Sequence, residues 1–393
     1  MTEAFVTPEL VRWAREREGL DFRAAAQRIP VKAERFESWE KGTARPTFHQ
    51  AEELARKLHV PFGYLFLHIP PIEEPPLPDL RTISNRPPGK LSPELTDVLQ
   101  DALRKQEWYR DYQEEEEIEP LAFAGRYTAG DSPNDIAADI RHTLQINVEM
   151  RHTIQNLEAF LRLLIHKAEQ AGILVLRNGV VGNNNRRPLD PGEFQGFAIS
   201  DDLAPLVFIN GQDWKSAQIF TFVHELAHLW IGKSGISNLD YRRRSFQQQY
   251  AVEQLCDGIA AETLVPNSDF TPLWQHWSTV DENLDLLSRR YRVSRFVVLR
   301  RAYDNQILDN DQYWQYYDEL RTKVTGSREK NKDGGNFDVN FLARNSSTLT
   351  LALLGATMEG RVPYRDAANL LNVNVGKLDG IYHRLVMRSV ANA

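Results

Sequence analysis

Five residues, His224-Glu225-Leu226-Ala227-His228, constrain the chain more than any other stretch. Two histidines four apart aim at one point on an α-helix, where residues i and i+4 share a face. The segment is therefore expected to be helical, and Phe220, Val223, Ala227 and Ile231 give that helix an apolar side. Two imidazoles beside a carboxylate suit a metal ion, which asks for a third protein ligand from a neighbouring helix and leaves a fourth position open. A single cysteine, Cys256, in 393 residues excludes a cysteine-rich metal site and an internal disulfide framework. The remaining ligand must be His, Asp or Glu.

The flanking sequence has the right order of elements to supply it. "GILVLRN", "GEFQGFAISD" and "APLVFIN" read as three strands, a helix follows over 212 to 232, and a second helix runs from 247 to 264, ahead of Pro266. The second helix offers Glu253, Asp257 and Glu262. Glu253 and Asp257 share a face, whereas Glu262 is turned about half a revolution from Glu253 at roughly 3.6 residues per turn. Glu253 is assigned as the third ligand, and Asp257 as the carboxylate that accepts the outer ring N–H of a ligand histidine and fixes its tautomer. Zinc held there lowers the pKa of a bound water, and Glu225 is the general base that takes its proton and passes it to a leaving amine. Cys256 lies off the ligand face and reads as a small buried thiol. The stretch "EFQGFAIS", 193 to 200, is either an edge strand on which an extended substrate adds as a further strand or an ordinary core strand. Tyr241, Tyr250 and His276 are unranked candidates for stabilising an oxyanion.

The fold class expected from these patterns is mainly α with a small β-sheet (α+β). Residues 1–68 read as an all-helical domain, 69–92 as a proline-rich connector, 93–270 as the domain with the histidine pair, and 271–393 as a helical C-terminal domain. The part of the connector over 80–89, "LRTISNRPPG", reads either as a linker or as a segment that lies in the cleft and inhibits it. The spacing of Ala25, Ile29, Val31 and Phe36 recurs at Leu287, Tyr291, Val293 and Val298, and again at Ala367, Leu371, Val373 and Leu378, as three helix-turn-helix pairs would give. A net charge of −7 argues against wrapping nucleic acid over the whole surface, so DNA binding has to be confined to one module. The N-terminal stretch has no secretory pattern, and no run approaches the roughly 18 apolar residues of a membrane span, which predicts a cytoplasmic protein with no membrane association.

The residues "GFAISDDLAPLVFINGQDWKSAQIFTFVHELAHLW" followed by "VEQLCDGIAAETLVP" resemble the ImmA/IrrE metallopeptidases, peptidase family M78, with a thermolysin-like zincin core. "FRAAAQRIPVKAERFESWEKGTARPTFHQAEELARKLHVPFGYLF" resembles the Cro/C1-type (XRE) helix-turn-helix. The two together look like a fused bacterial regulator. The resemblance implies a zinc-dependent endopeptidase that cuts helix-turn-helix repressors and so switches on stress-response or mobile-element genes, with His224, His228 and Glu253 as ligands and Glu225 as base. Position 257 is Asp where relatives often carry Asn, which changes the charge beside the site.

In a Cro-like domain the helix over 22–29 braces the next, over 32–40, whose early residues enter the major groove. Lys32, Glu34, Arg35 and Ser38 face outward, while Phe36 and Trp39 belong to the core. Residues 1–57 carry 11 Lys and Arg against 10 Asp and Glu, a balance of +1, which is weak for binding phosphate. The partners expected are a protein substrate such as a helix-turn-helix repressor, operator DNA, and a second copy in a homodimer. The competing reading is an antitoxin-like or ligand-sensing transcriptional regulator that binds DNA and a partner protein, with a non-catalytic zinc site.

Overall fold

In the computed structural model the described residues are 2–71, 91–147, 149–237, 248–325 and 337–392, and they divide into two compact units. The first takes the N-terminal residues together with 91–97; the second holds the rest. The connector segment 72–90, with its self-inhibition reading, lies outside the described residues. The chain is mainly α with a small β-sheet, as its patterning predicts.

The first unit is built from α1 (Pro8–Arg17), α2 (Phe22–Arg28), α3 (Ala33–Glu40), α4 (Phe48–Lys57) and a 3₁₀ turn at Phe62–Phe66. Pro8 starts α1 where a missing N–H is harmless, and Asp21 caps α2 by accepting from Ala24 N at 2.8 Å. Thr47 and Gln50 cap α4 reciprocally. Val11, Ala25, Ile29, Phe36, Trp39 and Leu54 form the core. Arg15 holds the buried Glu40 at 2.6 and 3.1 Å, tying α1 to α3.

The second unit contains most of α5 (Pro93–Glu115), then α6 (Pro133–Thr143) and α7 (Leu157–Gln170), before the chain turns to strands. These are β1 (Leu174–Asn178), β2 (Val180–Val181), β3 (Asn184–Pro188), β4 (Gly196–Ile199) and β5 (Leu206–Asn210). Helix α8 (Lys215–Trp230) follows, then β6 (Gly235–Ser237), α9 (Gln248–Leu264) and α10 (Asn267–Leu273). The remaining helices are α11 (Val280–Tyr291), α12 (Arg295–Asp304), α13 (Asn310–Thr325), α14 (Phe337–Asn345), α15 (Ser347–Met358), α16 (Tyr364–Leu370) and α17 (Leu378–Asn392).

The main sheet has the order β1-β5-β4-β6, with β1 parallel to β5 and the other pairings antiparallel. The stretch 193–200 is thus not an edge strand: β4 has β5 on one side and β6 on the other. Helices α7 and α8 pack on the sheet, and α9 packs against α6 and α8. Residues from Phe123 to Leu320 share one hydrophobic cluster, so Leu284, Leu287, Val297 and Val298 of α11 and α12 pack into the core that also holds α8 and α9. Residue 270 marks no break in that core.

All three spaced quartets fall on consecutive helices. In each, the third residue closes the preceding helix by donating its N–H to a carbonyl five residues back: Val31 to Ala26, Val293 to Ser288 and Val373 to Ala368. Ala55 and Val60 end α4 the same way, so a common C-terminal closure is enough to produce this spacing between consecutive helices.

Candidate metal centre

Helix α8 is buried along almost all of its length: every side chain from Gln218 to Trp230 is shielded. Its start is held by ionic contacts. Glu158 accepts from both Arg177 terminal nitrogens at 2.8 Å and lies 3.2 Å from Lys215, while Arg177 Nε donates to Gln218 at 2.7 Å. Its end closes over Gly232, which takes the left-handed φ of +64° and lets Lys233 N bond His228 O at 2.9 Å. Both ends fixed, the helix presents His224, Glu225 and His228 in one register.

The Glu158 carboxyl illustrates the strength of that anchoring. Burial raises its pKa, but Arg177 and Lys215 outweigh burial and bring it down to about 2. A carboxyl with a folded-state pKa below its unfolded value near 4.5 stabilises the fold above that value and loses the contribution as pH falls towards 2. Glu158→Gln is therefore expected to be less stable than wild type at pH 6, with the difference closing between pH 4.5 and 2. Denaturant midpoints across that range check it; a difference that does not depend on pH would contradict it.

Helix α9 lies against α8 and brings Glu253 and Asp257 to the two histidines. His224 Nε2 stands 3.2 Å from His228 Nε2 and 3.3 Å from Glu253 Oε2, and His228 Nε2 stands 3.2 Å from Glu253 Oε1. Three ligands of a tetrahedral ion, each about 2.0–2.1 Å from the metal, must lie about 3.3–3.4 Å from one another. Each separation is about that size, with the two histidines meeting different oxygens of Glu253. Among the described residues Glu253 Oε1 makes no hydrogen bond of good geometry; its near neighbour is His228 Nε2. The three residues are buried and can hold a metal ion.

Asp257 Oδ1 lies 3.0 Å from His224 Nδ1. With an Nδ1 proton directed at Asp257, loss of the Nε2 proton leaves that lone pair facing His228 and Glu253. Burial opposes a charge on His224, yet Asp257 and Glu253 hold its pKa well above the ordinary value. Burial likewise raises Glu253, but the two histidines bring it down to about 2. Glu262 points elsewhere: it accepts from Asn267 N at 3.2 Å and pairs with buried Arg301. Cys256 is fully buried and unbonded to the cluster, and burial pushes its thiol up.

Glu225 sits fully buried beside the His-His-Glu cluster; among the described residues neither carboxylate oxygen has a hydrogen bond of good geometry, and only the Ser237 hydroxyl is close enough to favour its charged form. Burial pushes its pKa up to about 8, and the nearby Glu253 charge adds to this; a cation beside it would work in the opposite direction. Strand β4 passes directly over it. A Cβ on Gly196 would lie 2.8 Å from Glu225 Oε1, 2.7 Å from Thr221 Cγ2 and 2.9 Å from Phe208 O, so only glycine lets the strand come this close. Gly196, Thr221 and the facing Ser237 of β6 are site residues that the sequence reading did not single out. An isolated glycine inside the alternating "EFQGFAIS" was the available signal.

Of the oxyanion candidates, His276 is exposed in the turn after α10, and Tyr241 and the Tyr250 side chain lie outside the described residues. In the N-terminal unit Lys32, Glu34 and Arg35 are exposed at the start of α3, while Ser38 is half-buried and donates its hydroxyl to Arg35 O at 2.6 Å. Among the described residues no helix is long and apolar enough to cross a membrane.

A buried His-His-Glu cluster with a further unpaired carboxylate is a metallopeptidase type of arrangement. Residues 168–303, from the end of α7 into α12, match the Peptidase_M78 family, described as an IrrE N-terminal-like domain. The match takes in α8, α9 and every residue of the cluster. Residues 345–384 match a domain of unknown function, DUF8813. No curated protein matches the chain.

Proposed function

We propose that the protein is a zinc-dependent endopeptidase with a DNA-binding helix-turn-helix in its N-terminal unit, and that it acts in transcriptional control by cutting a repressor or related regulator. Glu225 carries the reading. Three ligands suffice to hold a structural ion, whereas a fourth, unpaired carboxylate buried beside them costs stability and earns its place only by moving a proton. Two imidazoles and one carboxylate suit zinc, held by His224, His228 and Glu253. Zinc bound there supplies Lewis acidity towards a peptide carbonyl and makes a water acidic near neutral pH.

The chain's own groups do the rest. Glu225 accepts the water proton on a carboxylate oxygen and delivers it to the nitrogen of the leaving amine. Asp257 keeps His224 in the tautomer whose Nε2 faces the centre. Helix α8, buried from Gln218 to Trp230, keeps the base from turning away. In the N-terminal unit α2 braces α3, and Lys32, Glu34, Arg35 and Ser38 form the face offered to operator DNA; a second copy across a two-fold axis would match a palindromic site.

The cutting is tested on extracts in which helix-turn-helix regulators are present, by mapping new protein N-termini after addition of wild type or Glu225→Gln. New termini in a regulator with wild type alone support the reading. Identical termini with both proteins, or none in any regulator, contradict it.

A further inference from the structure

A cavity of about 250 Å³ opens beside α8, walled by α9, α12 and the first residues of α6. It has the space of about eight liquid waters and lies just below the range of about 300–1,000 Å³ of larger ligand sites, so it suits a metabolite of few atoms. Its wall carries both signs of charge. Asp257 and Asp304 supply carboxylates and Arg300 and Arg301 guanidiniums, while Phe220 and Gly258 add apolar surface.

The positive half is under-compensated. Arg301 is 7% exposed and pairs with the equally buried Glu262 through a terminal nitrogen, yet its buried Nε–H donates to nothing among the described residues. Arg141 donates to the main-chain oxygen of Glu262 at 2.7 Å, and no second carboxylate among the described residues pairs with either arginine. A buried donor left unmade is costly, most of all on a charged group, unless an acceptor arrives. Helix α6 begins at the same wall with Pro133 and Asn134, and its N-cap Ser132 makes no side-chain bond to it, which leaves the positive end of the helix dipole uncapped there.

The negative half adjoins the metal centre. Asp304 Oδ1 lies 2.8 Å from Arg300 Nε. Asp257 gives Oδ1 to His224 Nδ1 at 3.0 Å, and its side chain is 17% exposed, which leaves Oδ2 for a ligand.

We infer that this cavity binds a small zwitterion, a free α-amino acid, with its carboxylate on Arg301 Nε and the start of α6 and its ammonium between Asp257 and Asp304. A simple anion would face two aspartates and a simple cation two arginines, whereas a molecule that bears one charge of each sign on the same carbon answers both halves. The site does not depend on the peptidase reading; its effect on the centre rests on zinc at His224. With zinc there, the ammonium beside Asp257 faces a second cation, so amino acid and zinc each weaken the other's binding by the same factor, about fivefold. Free amino acids, the products of protein breakdown, thereby restrain the metal centre.

The test uses the full-length protein, zinc-free and zinc-loaded. Each of the standard α-amino acids is first added singly to zinc-free protein, where a ligand of the folded state raises the melting temperature. The strongest is then titrated by calorimetry alongside acetate and methylammonium. Expected are a Kd of about 1 mM or below for the amino acid, at least tenfold weaker binding of acetate and methylammonium, and a Kd about fivefold higher once zinc is loaded. Arg301→Lys keeps the charge beside Glu262 and removes the Nε–H, and Asp304→Asn removes one carboxylate; each is expected to weaken binding at least tenfold. Should Arg301→Lys not fold, Gly258→Leu fills the cavity from α9, where a Cβ meets only Pro133 at 3.9 Å, and is expected to abolish binding. No amino acid bound, acetate bound as tightly, or binding unchanged in the variants overturns the site. Equal affinity with and without one zinc per chain overturns the restraint on the centre. A chain that takes up no zinc contradicts the zinc reading instead, and the zinc-free titration still decides the site.

Discussion

Glu225→Gln is expected to lower turnover about 10²- to 10⁴-fold, the range associated with loss of a positioned general base, while metal content and thermal stability hold. The prediction separates base from ligand. Alanine in place of His228 or Glu253 removes activity together with metal, whereas Glu225→Gln removes activity alone. Peptide-cleavage rates paired with metal analysis on the same preparations check it; loss of metal from Glu225→Gln would make Glu225 a ligand and overturn the division of roles.

Gly196→Ala is expected to be the most damaging glycine-to-alanine change among the described glycines. The new carbon would stand within 3 Å of Thr221 Cγ2, Glu225 Oε1 and Phe208 O, and the last is backbone of the neighbouring strand β5. Either β4 withdraws from α8 or the Glu225 carboxylate is pushed aside. Overpacking of this kind costs about 1–3 kcal/mol, and displacement of the base lowers turnover in addition. Gly258, in the middle of α9, is the control. Its added carbon meets only Pro133 Cβ at 3.9 Å, so Gly258→Ala gains helix propensity and is expected to stabilise by about 0.5–1 kcal/mol. Thermal melts of the two variants should therefore move in opposite directions. Equal behaviour would mean that β4 does not press on the site.

The parts of this arrangement that were legible in the sequence are those whose causes are local. The histidine spacing required α8 to be a helix, and the 3.6-residue repeat was enough to put Glu253 and Asp257 on one face of α9 and Glu262 on another. Glu262, turned away, is occupied by Arg301 and Asn267. The strand segments 174–178 and 206–210 showed as apolar runs because β5 is internal and buried along its length, and the first three residues of the edge strand β1 are buried as well. What escaped the sequence depends on distant pairings. Strand β6 has three residues, too few to show a period, and it reaches β4 only because α8 carries the chain back across the sheet; that is why β4 is internal. Amphipathic spacing identified α11 and α12 as helices but could not say that Leu287 and Val298 pack into the same core as the metal-site helices. The cavity beside α8 depends on that packing and was equally hidden.

The central claim is that His224, His228 and Glu253 together hold one zinc ion. Metal content by mass spectrometry on wild type, His228→Ala and Glu253→Ala, purified side by side and offered zinc, tests it most directly. The account predicts about one zinc per wild-type chain and a loss of affinity of at least tenfold in each variant. Zinc retained by Glu253→Ala, or a wild type that takes up none, would contradict it.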